Sequence, residues 1–190
     1  MKKIFVSAAL IAATASVSAQ EISLNKRDGD THRIHTTATR VQPFKSRIMV
    51  EVSMSKVTTP KGTTKSIRLT IESALPLSIG KGDEFIFEDM NGQKYTFINP
   101  LNQKDRIGFV VEIGNYINTH YRVHAILPVD DTTLAALCGG VKSLTFEIDE
   151  PSITTGVAEM RYKKDKIGKV LRKCNELIDS AEEPRSVVIE

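Results

Sequence analysis

The sequence contains no tryptophan, and only seven Phe and four Tyr among 190 residues. Carbohydrate-binding modules stack sugars on exposed aromatic rings, so this scarcity counts against one. Catalytic signatures are missing too. There is no G-x-S-x-G, no H-E-x-x-H, no Walker loop, no C-x-x-C and no complete EF-hand loop. Asp28 and Asp30 flank Gly29, but no acid follows at calcium-ligand spacing, which leaves a solvated turn. Ser53-Met54-Ser55-Lys56 matches the S-x-x-K of penicillin-recognising enzymes in form only. That chemistry needs Ser and Lys one helical turn apart, whereas alternation along a strand aims Ser53 and Lys56 at opposite faces. No catalytic residue and no cofactor is therefore expected. No block of like charge is long enough to suggest nucleic acid or an anionic membrane. After residue 19, no run is long and apolar enough to span a bilayer.

What is present begins with a targeting pattern. Lys2 and Lys3 form a basic n-region, Ile4–Ala13 an apolar core, and Val17-Ser18-Ala19 offers small residues for cleavage before Gln20. Residues 1–19 read as a secretory signal peptide, too short for a transmembrane anchor. The expectation is an exported protein, periplasmic or secreted. Residues 1–19 carry two Lys and no acid. Without them, 24 basic residues face 23 acidic ones, a net charge of +1 with His neutral. About 170 residues suit one domain with a sizeable core.

The clearest structural stretch is Leu77–Asn99. Two aromatic-rich runs, Asp83–Glu88 and Gln93–Ile98, flank Asn91-Gly92, a strong hairpin signal. A two-residue turn would face Phe85 with Ile98 and mix both faces. A three-residue loop (Met90, Asn91, Gly92) faces Phe85 with Phe97 and Phe87 with Tyr95. Ile86 then opposes Thr96, and Glu88 opposes Lys94. That register gathers four aromatics on one face and an opposite-charge pair on the other, so it is the expected one. Gly80-Lys81-Gly82 makes a second turn that feeds the hairpin.

Elsewhere the period is mostly two. Gln20–Lys45 is polar and turn-rich and reads as a flexible or weakly paired arm, with Thr31–Arg40 a possible edge strand. Ile48, Val50, Val52 and Met54 alternate with polar residues, as do Ile67, Leu69 and Ile71, which suggests an antiparallel pair. Val57–Lys65 between them reads as a loop. Further strands run through Phe109–Ile113, Tyr121–Ala125 and Leu144–Ile148, with breaks at Gly114-Asn115 and a loop at Pro151–Gly156. Asp130 or Asp131 caps a short helix near 131–138, which Gly139 ends. The longest helix lies near 164–181, with Ile167, Val170, Leu171, Cys174, Leu177 and Ile178 on one stripe. The fold class is α+β, mainly antiparallel sheet. Residues 46–182 form one β-rich domain, and 183–190 are a tail.

The candidate ligating residues are few. His32 and His35 point to opposite faces if they lie on a strand. His120 and His124 share a face but stand about 13 Å apart along it, with Arg122 between them. A metal site would need one His from each pair plus other ligands. Cys138 and Cys174 are the only cysteines. An oxidising compartment favours a disulfide between them, and a small buried hydrophobe at each position is the alternative. Geometry decides, because a bridge needs Cα atoms within about 7 Å.

Two stretches, IGKGDEFIFEDMNGQKYTF and YRVHAILPVDDTTLAALCGGVKSLTFEI, resemble small exported proteins of unknown function from anaerobic gut bacteria. The resemblance spans roughly Leu77–Ile178 and implies a signal peptide and a single β-rich domain. It implies no known activity. The expected function is a non-enzymatic exported protein that binds another envelope or secreted protein, or a small ligand. An exported hydrolase without a recognisable motif, and a His-based metal-binding protein, are the alternatives.

Overall fold

The computed structural model describes residues 20–41, 48–74, 78–100, 106–113, 116–150, 153–161 and 164–182. Residues 1–19, expected to be a signal peptide, the expected break at Gly114-Asn115 and the expected tail 183–190 lie outside the described residues. In chain order the elements are β1 (Ile22–Asp28), β2 (Thr31–Thr36), β3 (Thr39–Arg40), β4 (Met49–Thr59), β5 (Gly62–Ser73), β6 (Glu84–Asp89) and β7 (Lys94–Ile98). There follow β8 (Arg106–Ile113), β9 (Tyr116–Val129), α1 (Asp131–Gly139), β10 (Val141–Glu150), β11 (Ile153–Arg161) and α2 (Ile167–Ser180). The protein is α+β and mainly antiparallel sheet, as its alternating pattern predicts.

Two sheets carry the fold. One has seven strands in the order β1-β2-β4-β5-β9-β8, with β3 pairing β4 off that path. The other has four, in the order β11-β10-β6-β7. Val50, Val52 and Met54 pair with Ile71, Leu69 and Ile67, which pair in turn with Val123, Ala125 and Leu127. Residues directly opposite in an antiparallel pair share a face, so these nine form one apolar surface. All nine are buried. They join Phe85, Phe87, Leu144 and Phe146 of the second sheet in a single core. Helix α2 closes that core by laying its stripe on β4 and β2.

Short polar devices set the joints. Asp130 caps α1 by accepting from the Thr133 N–H at 2.8 Å and the Thr133 hydroxyl at 2.7 Å. The backbone hydrogen bond from Thr133 holds its carboxyl below the usual range. Gly140, not Gly139, terminates this helix, because the left-handed turn with φ near 142° falls there. Asp165 Oδ1 accepts from the Val141 N–H at 3.1 Å and the Gly168 N–H at 2.8 Å. One carboxylate thus ties the start of β10 to the start of α2. A Cβ at Gly168 would stand 2.7 Å from both Asp165 Oδ1 and the Gly140 Cα, so this approach requires glycine.

Three stretches differ from their sequence reading. In place of a weakly paired arm, residues 22–36 form a hairpin whose second strand joins β4 inside the sheet. The inward side of β2 is largely polar, which hides its period: His32 is buried against Asn25 Oδ1 at 2.7 Å, and Thr36 against Cys174 Sγ at 3.1 Å. Val57–Lys65 is not a loop. β4 and β5 run on to Thr59 opposite Gly62, leaving only Pro60-Lys61 as the turn. β-Branched Thr suits a strand, and Thr58 meets Thr63 across it at 3.1 Å. Nor does the loop at Pro151–Gly156 persist: β11 begins at Ile153 and pairs along β10.

Candidate functional site: an open strand edge beside the aromatic hairpin

The β6–β7 hairpin forms with the three-residue loop. Phe85 faces Phe97, Ile86 faces Thr96, Phe87 faces Tyr95 and Glu88 faces Lys94. Asp89 builds the turn: its Oδ1 accepts from the Asn91 N–H at 2.8 Å and the Gln93 N–H at 2.9 Å, while Gly92 takes φ near 87°. Phe85 and Phe87 are fully buried, and Tyr95 and Phe97 are half-buried against the same core. On the other side Glu88 bonds to Lys142 rather than to Lys94 opposite it. The hydrogen bond from Lys142 holds the Glu88 carboxyl below its usual range, with smaller help from Lys142 charge, Ser143 and Lys94.

β7 is the outer strand of its sheet. Asp89 donates its N–H to Gln93, and Asn99 donates to Asp83, each at 2.9 Å. Hydrogen-bonded pairs alternate along an antiparallel ladder, so Tyr95 and Phe97 point their backbone groups at β6. Lys94, Thr96 and Ile98 point theirs outward. The side chains of those three residues are exposed as well. Met90, 56% exposed, and Ile98, 53% exposed, are the large exposed hydrophobics among the described residues, and both belong to this hairpin. The edge strand β1, by contrast, carries Lys26, Arg27 and Asp28, charges of the kind that blunt an edge.

The histidines do not converge. His32 and His35 lie on opposite faces of β2, the first against Asn25 and the second 2.8 Å from Arg68 Nη1. His124 Nδ1 lies 3.1 Å from Thr70 Oγ1 on the neighbouring strand, and His120 is two strand repeats away along β9. Among the described residues no group of three or more His, Cys, Asp or Glu could hold a metal ion. Ser53 and Lys56 sit on opposite faces of β4, the Lys56 ammonium reaching the α2 end at Ile178 O, 3.3 Å away.

The expected Cys138–Cys174 disulfide is not formed; both cysteines are free and they are not close. Helix geometry gives the reason. Arg172 reaches α1, donating to the Cys138 carbonyl at 2.6 Å. Cys174, two residues on, points about 200° round the helix from Arg172. It faces the sheet instead, where Thr36 Oγ1 and Gln20 Nε2 meet its sulfur at 3.1 and 2.9 Å. Burial pushes both thiols above their usual pKa, which lowers the share of reactive thiolate at each.

A cleft of about 510 Å³ lies between α1 and α2, lined by Lys65, Asp131, Leu134, Cys138, Arg172 and Asp179 among others. Its centre is already occupied by its own charges. Lys65 Nζ stands 2.9 Å from Asp179, 3.0 Å from Asn175 and 3.2 Å from Asp131. Burial alone would lower the pKa of this ammonium; hydrogen bonds to Asp179 and Asp131 outweigh it and hold the pKa above the usual value. Lys56 and Lys65 together also place positive charge at the C-terminal end of α2, which the helix dipole favours. These contacts fix the helices to the sheet.

Comparison with known proteins adds no relative: no family model, curated protein or solved structure matches the chain.

Proposed function

We propose that this is a non-enzymatic exported protein that captures an extended segment of another envelope or secreted protein along β7. The observation that carries the reading is the outward row of backbone donors and acceptors at Lys94, Thr96 and Ile98, flanked by exposed Met90 and Ile98. A strand added there gains main-chain hydrogen bonds, and side-chain pockets on alternate positions give specificity. Side chains set the chemistry of the partner. One face of the added strand would cover the half-buried rings of Tyr95 and Phe97, so it should be apolar. The other face would run beside Lys94, which makes no ion pair among the described residues, so an acidic residue fits there. Export is supported by the n-region, apolar core and small cleavage residues of the first nineteen positions.

The decisive variant is Thr96→Pro. The Thr96 N–H points away from β6, so proline removes an outward donor and leaves the β6–β7 ladder whole. Cross-linking in the native envelope, followed by mass spectrometry, should recover a partner with the wild type and lose it with Thr96→Pro and with Ile98→Lys. The circular dichroism of both variants should match the wild type. Equal recovery of the same partner by all three proteins would refute the edge as the site.

A further inference from the structure

The face of the seven-stranded sheet turned away from the core carries a cationic cluster to which no acid is bound among the described residues. Pairing fixes its layout. Arg33 and His35 are two residues apart on β2 and project from this face. His35 lies opposite Ser55, Ser55 opposite Ser66, and Ser53 opposite Arg68. The last five therefore occupy two adjacent rows across three strands, with about 4.8 Å between strands. Ser53, Ser55 and Ser66 are only 8%, 6% and 8% exposed. Their small size lets the Arg68 side chain cross β4 and reach His35, two strands away, where Nη1 meets Nδ1 at 2.8 Å.

A guanidinium only donates, so His35 Nδ1 accepts and the imidazole is neutral. Burial, then the charges of Arg68 and Arg33, push the His35 pKa down, which agrees with that proton count. The three acids of this face whose side chains are described are placed in further rows. Asp28 lies opposite Thr31 on the edge strand β1. Glu51 sits opposite Arg40, and Glu72 is bonded to Arg122. Among the described residues, neither Arg33 nor Arg68 has a carboxylate within ion-pair distance. A half-buried guanidinium normally has an anionic partner, because removing charge from water without one is costly.

We propose that Arg68, with Arg33 and the hydroxyls of Ser53, Ser55 and Ser66, binds a tetrahedral oxyanion, phosphate or sulfate, free or as the terminal group of a small ligand. The donor set fits. Arg68 retains N–H groups beyond the one given to His35, in the planar fork that matches such oxygens. The three hydroxyls lie beneath it and donate to the oxygens the fork leaves open. Arg33, at the rim, adds charge. His35 is a positioning residue: it holds the guanidinium across β4 and touches no ligand.

Titration of the protein with inorganic phosphate, inorganic sulfate and phenyl phosphate, each in chloride buffer, tests this by NMR of the Arg68 side chain and the His35 ring. Both signals should shift together and saturate. Binding of phenyl phosphate as well as phosphate identifies an esterified group as acceptable; binding of phosphate and sulfate alone restricts the site to the free ion. Arg68→Gln should weaken binding at least about tenfold, and Arg33→Gln less. Lys169→Gln, an equal loss of charge on the exposed side of α2, should leave it unchanged. If Arg68→Gln does not fold, Arg68→Lys keeps the charge and loses the fork, and should weaken binding by a similar factor. The proposal is overturned if no anion moves these signals at about 10 mM, or if Arg68 and Lys169 variants weaken binding equally.

Discussion

Truncating Phe87 to alanine probes the register on which the second sheet depends. The ring is fully buried, between Tyr95 on β7 and Leu144 on β10. It meets Phe97 edge-on, with centroids 5.4 Å apart and planes at 80°. A buried Phe removes roughly 150–250 Å² from water, worth about 4–6 kcal/mol at about 25 cal/mol per Å². Alanine keeps part of that area, and measured core truncations of this kind cost about 3–5 kcal/mol. The edge-on contact accounts for about 1 kcal/mol of it. A domain is stable by about 5–15 kcal/mol in total, so the variant should still fold but lose much of its margin. In a urea titration with a slope of about 2 kcal/mol per molar, the midpoint should fall by about 2 M. Phe97→Ala, at a half-buried position, should cost roughly half as much. Ile86 points to the opposite face and provides the control. A Phe87→Ala loss below about 1 kcal/mol, or an Ile86→Ala loss above that of Phe87→Ala, would refute the assigned face.

Three more outcomes follow from the joints and the buried polar groups. Asp165→Ala orphans the N–H groups of Val141 and Gly168 together and should cost about 2 kcal/mol by denaturant titration; Gly168→Ala should also destabilise, against its helix propensity, because its Cβ has no room. Arg122→Ala leaves Glu72, only 3% exposed, without its guanidinium and should cost about 3–5 kcal/mol, part of which Glu72→Gln restores in the double variant. Thiol counting on denatured, unreduced protein should give two free thiols, and in the native state Cys174 should react more slowly than Cys138. Because burial raises both thiol pKa values above those of the unfolded chain, the native state keeps these protons longer. Stability should therefore be full below the ordinary thiol pKa and fall as pH rises through the native values.

Much of this fold can be read from period and turn chemistry, because one buried face leaves its mark on the sequence. The β6–β7 hairpin is the clearest case: only one register collects Phe85, Phe87, Tyr95 and Phe97, so alternation and Gly92 together settle it. The pairing of β4 with β5 and the stripe of α2 are legible for the same reason. β2 is not, since His32 and Thr36 point into the protein and are held there by Asn25 and Cys174, which come from other elements. Polar groups satisfied through tertiary contact carry no periodic signal. The Thr-rich β4–β5 extension fails differently: its Pro and Gly announce a turn, but the turn needs only two residues. The relation of Arg68 to His35 lies beyond any local reading. The two are 33 residues apart in sequence and two strands apart in space, and only the full strand order brings them together.

The two proposed sites lie on different sheets, Arg68 on the seven-stranded one and β7 at the edge of the four-stranded one. Arg68 is flanked in sequence by Ile67 and Leu69, whose side chains enter the core that Phe85 and Phe87 also fill. Alternation therefore turns Arg68 away from the second sheet. A strand added at β7 extends that second sheet edgewise and leaves the Arg68 face uncovered. Between them lie Ile67, Leu69 and the phenyl rings, an apolar layer of the core. Such a layer transmits a signal only if it has two arrangements to choose between, and an equilibrium is shifted only by a ligand that prefers one of them. An anion at the proposed Arg68 site and a strand at the proposed β7 edge should therefore bind independently, each leaving the affinity for the other unchanged.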